Sequence, residues 1–513
     1  MRITFDGEKY VTNLIPPGTE AAWTTDPLTN QCYTYDPRAV AGFRSYCSDR
    51  AKKELSRTFL ERTPWPTPPP HPPHLTPRFY QTESALFALQ QNRSYMGLCA
   101  GLGKTIVAAL IQNAMQGAMV YVCPPYLTLT VQEEFKKWMT APTKITTSLE
   151  FYPRQFPCVW IIPSSRIHDP HIRTQIGKFL LAHNVHTKNV CTLVIDEAHQ
   201  YSHLEARRTR ALFQALVPAF PHVVFMSGTP MPSRPMELWP VLSECAPETI
   251  DFMTMESYGQ KFCGGHYVEG RGWDFSRASN VELLAKKIHG TFMYRVRKAD
   301  VLKDLPPKTE ELVFIGEDLP PDLAAIDMAI LRHKSPEDLV GKALATAAKL
   351  EEGQELPLST YRRELEKLKV KAAVKFIRGV LEDGDENLLV FGYHKEAMAE
   401  LEKGLADFSP LVVTGQTPLD ERHRLVKTFQ QGGHRIFLGN YLAAGTGFTL
   451  TKATRVIFVS FSWVPAENDQ AADRCHRIGQ KGNVLVQYLV YKNSVDRQVL
   501  EVIQKKRKST RYI

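Results

Sequence analysis

Short apolar runs recur along the chain, and the stretches between them have the spacing of amphipathic helices. The runs are AMVYVCPP (118–125), CTLVIDE (191–197) and HVVFMSGTP (222–230), then NLLVFGYH (387–394), PLVVTG (410–415), RIFLGN (435–440), TRVIFVSFSW (454–463) and VLVQYLVY (484–491). Continuous apolar strands separated by helices read as parallel sheets covered on both faces. Because the runs fall into two groups, the pattern predicts two α/β parallel-sheet lobes. The stretch between them, 240–370, has no such run and carries helical patterns, as in NVELLAKKIHGTFMYRVRKADVL (280–302) and STYRRELEKLKVKAAVKFIRGV (359–380).

The plainest boundary is TPWPTPPPHPPHLTP (63–77), whose clustered prolines forbid a helix or inner strand and favour an extended tether. Ahead of it, RITFDGEKYVTNL and QCYTYDP alternate like strands and AVAGFRSYCSDRAKKEL has helical spacing, so residues 1–62 read as a small α+β module. Its Trp23, Tyr33 and Tyr35 suit either a miniature core or base stacking. The expected domains are therefore 1–62, the linker 63–77, a first lobe 78–239, a helical insert 240–370 and a second lobe 371–513.

Composition changes this picture little. A chain of 513 residues exceeds one compact core. Its net charge of +9 is compatible with a polyanion if Lys and Arg are focused on one surface. The nine cysteines include no Cys-x-x-Cys pair, which argues against structural zinc and for reduced thiols in an intracellular compartment such as cytoplasm or nucleus. No stretch is long and apolar enough to span a bilayer, and the opening MRITFDGEKY is not a signal peptide, so no membrane role is expected.

The chemistry begins at GLCAGLGKTIVAALIQ. Gly101, Gly103, Lys104 and Thr105 lie between a strand end and an apolar helix, where backbone N–H groups and a helix N-terminus can face phosphate. Lys104 would reach the β- and γ-phosphates of ATP, and Thr105 would hold Mg2+. Further on, TLVIDEAHQ delivers Asp196 and Glu197 to the carboxyl edge of a sheet, the ligand edge of such folds. Asp196 suits a magnesium ligand through water, and Glu197 a base for the attacking water. His199 would relay the nucleotide state to MSGTP, which contains Ser227 and Thr229. Late in the chain, DQAADRCHRIGQKG sets Arg474 and Arg477 three residues apart on one expected helical face, flanked by Gln470 and Gln480. Arginines from a second lobe can stabilise the charge on a transferred phosphoryl group, which makes hydrolysis contingent on closure. The competing assignment is a surface cluster paired with Asp469 and Asp473.

Together DEAH, SGTP and QAADRCHRIGQ resemble the Swi/Snf-type ATPases of helicase superfamily two, double-stranded-DNA translocases, over residues from about 75 to the end. The resemblance implies two RecA-like lobes. It gives Gln81 of PRFYQ the adenine edge and places Gln480 among the nucleotide-binding residues. VCPPYLTLTVQEEFKKW, with Pro124, is similar to the first DNA-tracking motif, and MSGTPMPSRPMELW to the motif that couples hydrolysis to DNA. NYLAAGTGFTL resembles a DNA-contacting loop, so Gly445, Thr446 and Gly447, with Ser164, Ser165, Trp463 and Gln470, are candidate coupling and DNA residues. ESYGQKFCGG and RKADVLKDLPPK look most like the annealing-helicase branch. Leu98 and Cys99 replace an acidic pair, Ser233 an Asn, and Val464 the Asn of Trp-Asn-Pro. The resemblance implies an ATP- and Mg2+-dependent motor on double-stranded or branched DNA, with a strand-separating helicase as the alternative.

Overall fold

The computed structural model describes residues 68–513 apart from 328–346, 350–354, 441–447 and scattered single or paired positions. Of residues 1–67 it describes four short antiparallel strands, Thr4–Phe5, Tyr10–Thr12, Thr24–Thr25 and Cys32–Thr34. The expected helix at 39–55 and the loop carrying Gly445, Thr446 and Gly447 lie outside the described residues. The chain forms two compact units, one of residues 1–231 and 235–301 with Ile513, the other of 232–234 and 302–512.

The first unit holds a sheet of seven parallel strands: β1 (Arg93–Leu98), β2 (Ala118–Cys123), β3 (Lys144–Thr146), β4 (Cys158–Pro163), β5 (Thr192–Asp196), β6 (His222–Met226) and β7 (Met293–Val296). Their spatial order is β7-β1-β6-β5-β2-β4-β3. Every residue of β2, β5 and β6 is buried, which is why these strands read as unbroken apolar runs rather than alternating ones. The register sets Met226 beside both Met96 and Asp196. The segments that follow β1, β5 and β6 therefore leave the sheet side by side at its carboxyl edge. Helix α1 (Phe79–Leu89) packs on α2 (Lys104–Met115), burying Tyr80, Ala85 and Ala88.

The second unit repeats the plan with six parallel strands: β8 (Lys308–Ile315), β9 (Leu388–Gly392), β10 (Leu411–Val413), β11 (Ile436–Asn440), β12 (Arg455–Phe458) and β13 (Val484–Tyr491). Their order is β8-β13-β12-β9-β11-β10. Helix α3 (Leu358–Asp383) matches the pattern at 359–380 and turns two ionisable side chains into the core. Glu366 accepts the backbone N–H groups of Tyr393 (2.7 Å) and His394 (3.0 Å), while Lys369 donates to the Leu489 carbonyl (3.0 Å) and pairs with Asp496. Burial of such groups is tolerable because each charge meets hydrogen-bonding partners.

Two elements depart from the helical reading of the middle stretch. Residues 280–302 divide into a helix, Val281–Ile288, then a turn at Gly290 (φ +73°), then strand β7. The β-branched and aromatic run after the glycine pairs with β1, Met293 beside Tyr95 and Val296 beside Leu98. Residues 308–315 likewise pair with β13 along their whole length. Both are edge strands with half-exposed faces, so neither shows a continuous apolar run.

Candidate nucleotide and coupling sites

The loop after β1 rises through Gly101 and Gly103, both at positive φ (+85° and +83°), into α2. Gly103 is the N-cap and offers no side chain, so the first turn of α2 is left to an anion or solvent. A Cβ there would lie 2.4 Å from Gln81 Nε2, so this position needs glycine for space as well as conformation. Gln81 is buried beneath the loop; Nε2 donates to the Leu102 carbonyl (3.0 Å) and Oε1 accepts from the Arg78 N–H (2.9 Å). Each amide atom retains a second hydrogen-bonding position, so Gln81 both braces the loop and keeps capacity for a base edge.

Lys104 reaches across to the end of β5, its Nζ 3.4 Å from Glu197 Oε1. Asp196 accepts from the Tyr121 hydroxyl (3.0 Å) and from the Glu197 N–H (2.9 Å). Thr105 is a further polar neighbour of the Tyr121 hydroxyl. Burial and the adjacent Glu197 carboxylate raise the Asp196 pKa to about 6, against the pull of Lys104. Glu197 is held in the left-handed region (φ 50°, ψ 47°), unusual for a non-glycine residue and a strain that persists where the surroundings over-determine the chain.

From Glu197 the contacts continue to the third segment. His199 Nδ1 lies 3.3 Å from Glu197 Oε2 and 2.8 Å from Ser227 Oγ, which in turn accepts the Thr229 N–H at 3.0 Å. Burial lowers the His199 pKa against the pull of the Glu197 carboxylate, with Lys104 and Arg208 adding to the lowering. Lys104, Glu197, His199, Ser227 and Thr229 thus form one continuous series of contacts. Two residues that sequence reasoning missed belong with them. Tyr121 holds Asp196, and its signal was a hydroxyl inside an otherwise apolar strand. Arg295 on β7 donates to the carbonyls of Gly97 (2.5 Å) and Gly228 (3.4 Å), tying the phosphate loop to the SGTP segment. Pro124 and Ser164 follow β2 and β4 at the same sheet edge. Ser164 is buried and Ser165 exposed, so Ser165 is the hydroxyl open to a phosphate.

In the second unit Arg474 and Arg477 are not on a helix. The helix Pro465–Ala472 ends one residue before Asp473, and the arginines occupy the turns beyond. The cause is tertiary, because the carbonyls that a longer helix would use are taken by other donors. Arg477 Nε donates to Asp473 O (3.0 Å), the Leu450 N–H to Arg474 O (2.9 Å) and Gln480 Nε2 to Cys475 O (3.1 Å). Gln480 also donates to Ala453 O (2.8 Å) and accepts from the N–H groups of Lys481 and Gly482, so its amide is engaged in shaping the turn. Asp473 pairs with Lys308 (3.2 Å) and Asp469 with Arg507 (2.7 Å). Arg477 donates Nη1 to Thr449 Oγ1 (3.1 Å), and burial together with Arg474 presses its pKa downward.

Trp463 is 3% exposed, with the Arg362 guanidinium 4.6 Å from its ring centre. That cation lies between Trp463 and Tyr393 (5.1 Å), so this indole packs the lobe rather than standing open to a ligand. Gln470 is half-buried on the helix preceding the arginine turn.

Residues 80–318 match the SNF2-related domain and residues 368–479 the helicase conserved C-terminal domain. The chain is 29% identical over 436 residues to the SWI/SNF-related matrix-associated actin-dependent regulator of chromatin subfamily A-like protein 1 of Xenopus tropicalis, covering 83% of this chain and 44% of that protein. It is 27% identical over 449 residues to the DNA annealing helicase and endonuclease ZRANB3 of Mus musculus, covering 84% and 40% respectively. The chain thus spans less than half the length of these relatives. A solved Sulfolobus solfataricus SWI2/SNF2 ATPase core in complex with dsDNA aligns over 85% of this chain and 92% of that one, at 18% identity and a TM-score of 0.38.

Proposed function

Because the chain belongs to the SNF2-related ATPases of helicase superfamily two, we propose that it hydrolyses ATP to travel along double-stranded or branched DNA, with an annealing-helicase-like role in replication, repair or recombination. The observation that carries this reading is the convergence of Lys104, Asp196 and Glu197 at one sheet edge, continuous with His199 and Ser227.

On this reading the uncapped turn of α2 and the Lys104 ammonium bind the phosphates. The Asp196 carboxylate, held by Tyr121, and the nearby Thr105 hydroxyl are the hard oxygen donors that Mg2+ prefers, so the residues present fit that ion. Mg2+ supplies positive charge to the phosphate oxygens when bound. Glu197 orients the attacking water and takes its proton; with nucleotide present, Lys104 turns from the carboxylate to the phosphates, which leaves Glu197 to act as base. His199 carries the change at Glu197 to Ser227 and Thr229, and so to the segment that couples to DNA. Arg474 and Arg477 meet the charge that builds on the transferred phosphoryl group. Residues 1–62 act as an accessory module tethered through 63–77.

The test is steady-state ATP hydrolysis with no nucleic acid, single-stranded DNA, duplex, forked DNA and RNA, with Glu197→Gln as the blank. Duplex or forked DNA should stimulate turnover strongly. Stimulation confined to single strands or RNA would replace the translocase with a strand-separating helicase.

A further inference from the structure

In the first unit, two short antiparallel strands, His266–Val268 and Gly272–Asp274, form a hairpin on which Tyr267 and Trp273 are directly paired. Their rings meet edge to face at 5.9 Å and 83°. Both are exposed, Tyr267 by 66% and Trp273 by 39%, although apolar rings of this size are ordinarily covered. Trp273 also stacks nearly parallel on Phe275, at 5.8 Å and 8°. Phe275 lies so close over Gly259 and Gly265 that a Cβ at either glycine would come within 2.2 and 2.7 Å of its ring. The result is an aromatic column anchored at its base against the lobe and open at its outer end.

We propose that this hairpin is a stacking site for unpaired DNA bases, such as those at a fork or branch point. The inference rests on the motor reading given above and extends it to the branched part of the substrate. A flat exposed ring adds a face to an unstacked base, whereas bases inside a duplex present only their edges in the grooves. The parallel Trp273–Phe275 stack shows how the next layer would lie. The charge of the region also suits a polyanion: residues 251–303, which include the Asp251 that pairs with Lys261 and Lys287, carry nine Lys and Arg against six Asp and Glu, a net of +3.

The experiment compares full-length wild type, the Tyr267→Leu/Trp273→Leu double variant and Tyr267→Phe/Trp273→Phe by fluorescence anisotropy. The probes are a blunt duplex and a fork with unpaired arms, and duplex-stimulated ATP hydrolysis is read on the same samples. The leucine variant should bind the fork about tenfold more weakly, while its duplex affinity and duplex-stimulated turnover stay unchanged. The phenylalanine variant, which keeps the rings, should restore fork binding. An equal loss on fork and duplex, or no loss on either, overturns the inference. So does a change in sedimentation of the leucine variant without DNA, which would assign the rings to a protein contact. Duplex-stimulated turnover of the wild type reports separately on the motor reading.

Discussion

The two clusters assigned to ATP handling balance charge in opposite ways. In the first unit the ionised groups answer one another: Lys104 faces Glu197, and Asp196 is held by the Tyr121 hydroxyl and a backbone N–H. In the second, the acids nearest the arginines are taken by Lys308 and Arg507, and Arg477 is braced by the neutral oxygens of Thr449 and the Asp473 carbonyl. Burial, and after it the neighbouring Arg474 guanidinium, press the Arg477 pKa downward. The first cluster thus sets one ammonium against two carboxylates, an arrangement suited to a cation-bound phosphate. The second holds two buried guanidinium groups in a fixed geometry, so an arriving anion meets donors that need no reorganisation.

That contrast is most directly broken at Arg477. Arg477→Ala should lower DNA-stimulated turnover by about a thousandfold or more while leaving nucleotide binding near wild type. Arg477→Lys should recover little of the loss, because an ammonium has no fork to span both the Thr449 hydroxyl and a phosphate. Wild-type turnover in Arg477→Ala would remove the distinction between the two clusters. Glu197→Gln comes next, with a fall of roughly 10²–10⁴-fold expected for loss of a general base. ATP affinity, measured by a fluorescent nucleotide, should be retained or improved, since Lys104 loses its carboxylate partner. A Glu197→Gln enzyme that fails to bind ATP would mean the carboxylate shapes the pocket rather than acting on water.

How far each cluster was legible follows from what holds it. The first is built from segments next to one another at a sheet edge; Asp196, Glu197 and Ser227 follow fully buried strands, so apolar runs located them, and the glycine-rich loop before an apolar helix located Lys104. The second is shaped by donors that take the turn's carbonyls, the Arg477 and Gln480 side chains from nearby and the Leu450 backbone N–H from another segment. Spacing placed Arg474 and Arg477 on a helix, but Leu450 and Gln480 draw the chain into turns, and periodicity carries no trace of those bonds. Edge position hid β7 and β8, whose half-exposed residues break up the apolar run. Trp463 stood as a candidate DNA contact, although Arg362, a hundred residues earlier, caps its ring inside the lobe.

The remaining tests separate a cluster's charge from its scaffold. Gln480→Ala removes four hydrogen bonds from the arginine turn without touching a charge, and a displacement of the guanidinium groups by about 1 Å would cost turnover on the order of 10²-fold. Tyr121→Phe should have the smallest effect. It deletes one hydroxyl between Thr105 and Asp196 and leaves the ring packed edge-on against Phe135. A hydrogen bond to a carboxylate contributes about 1.5 kcal/mol, roughly tenfold, so the Mg2+ concentration for half-maximal turnover should rise by about that factor. ATP affinity without Mg2+ should stay put, because the phosphate loop and Lys104 do not depend on that hydroxyl. If both constants moved together, Tyr121 would be supporting the whole sheet edge, and the first cluster would depend on its scaffold as much as the second.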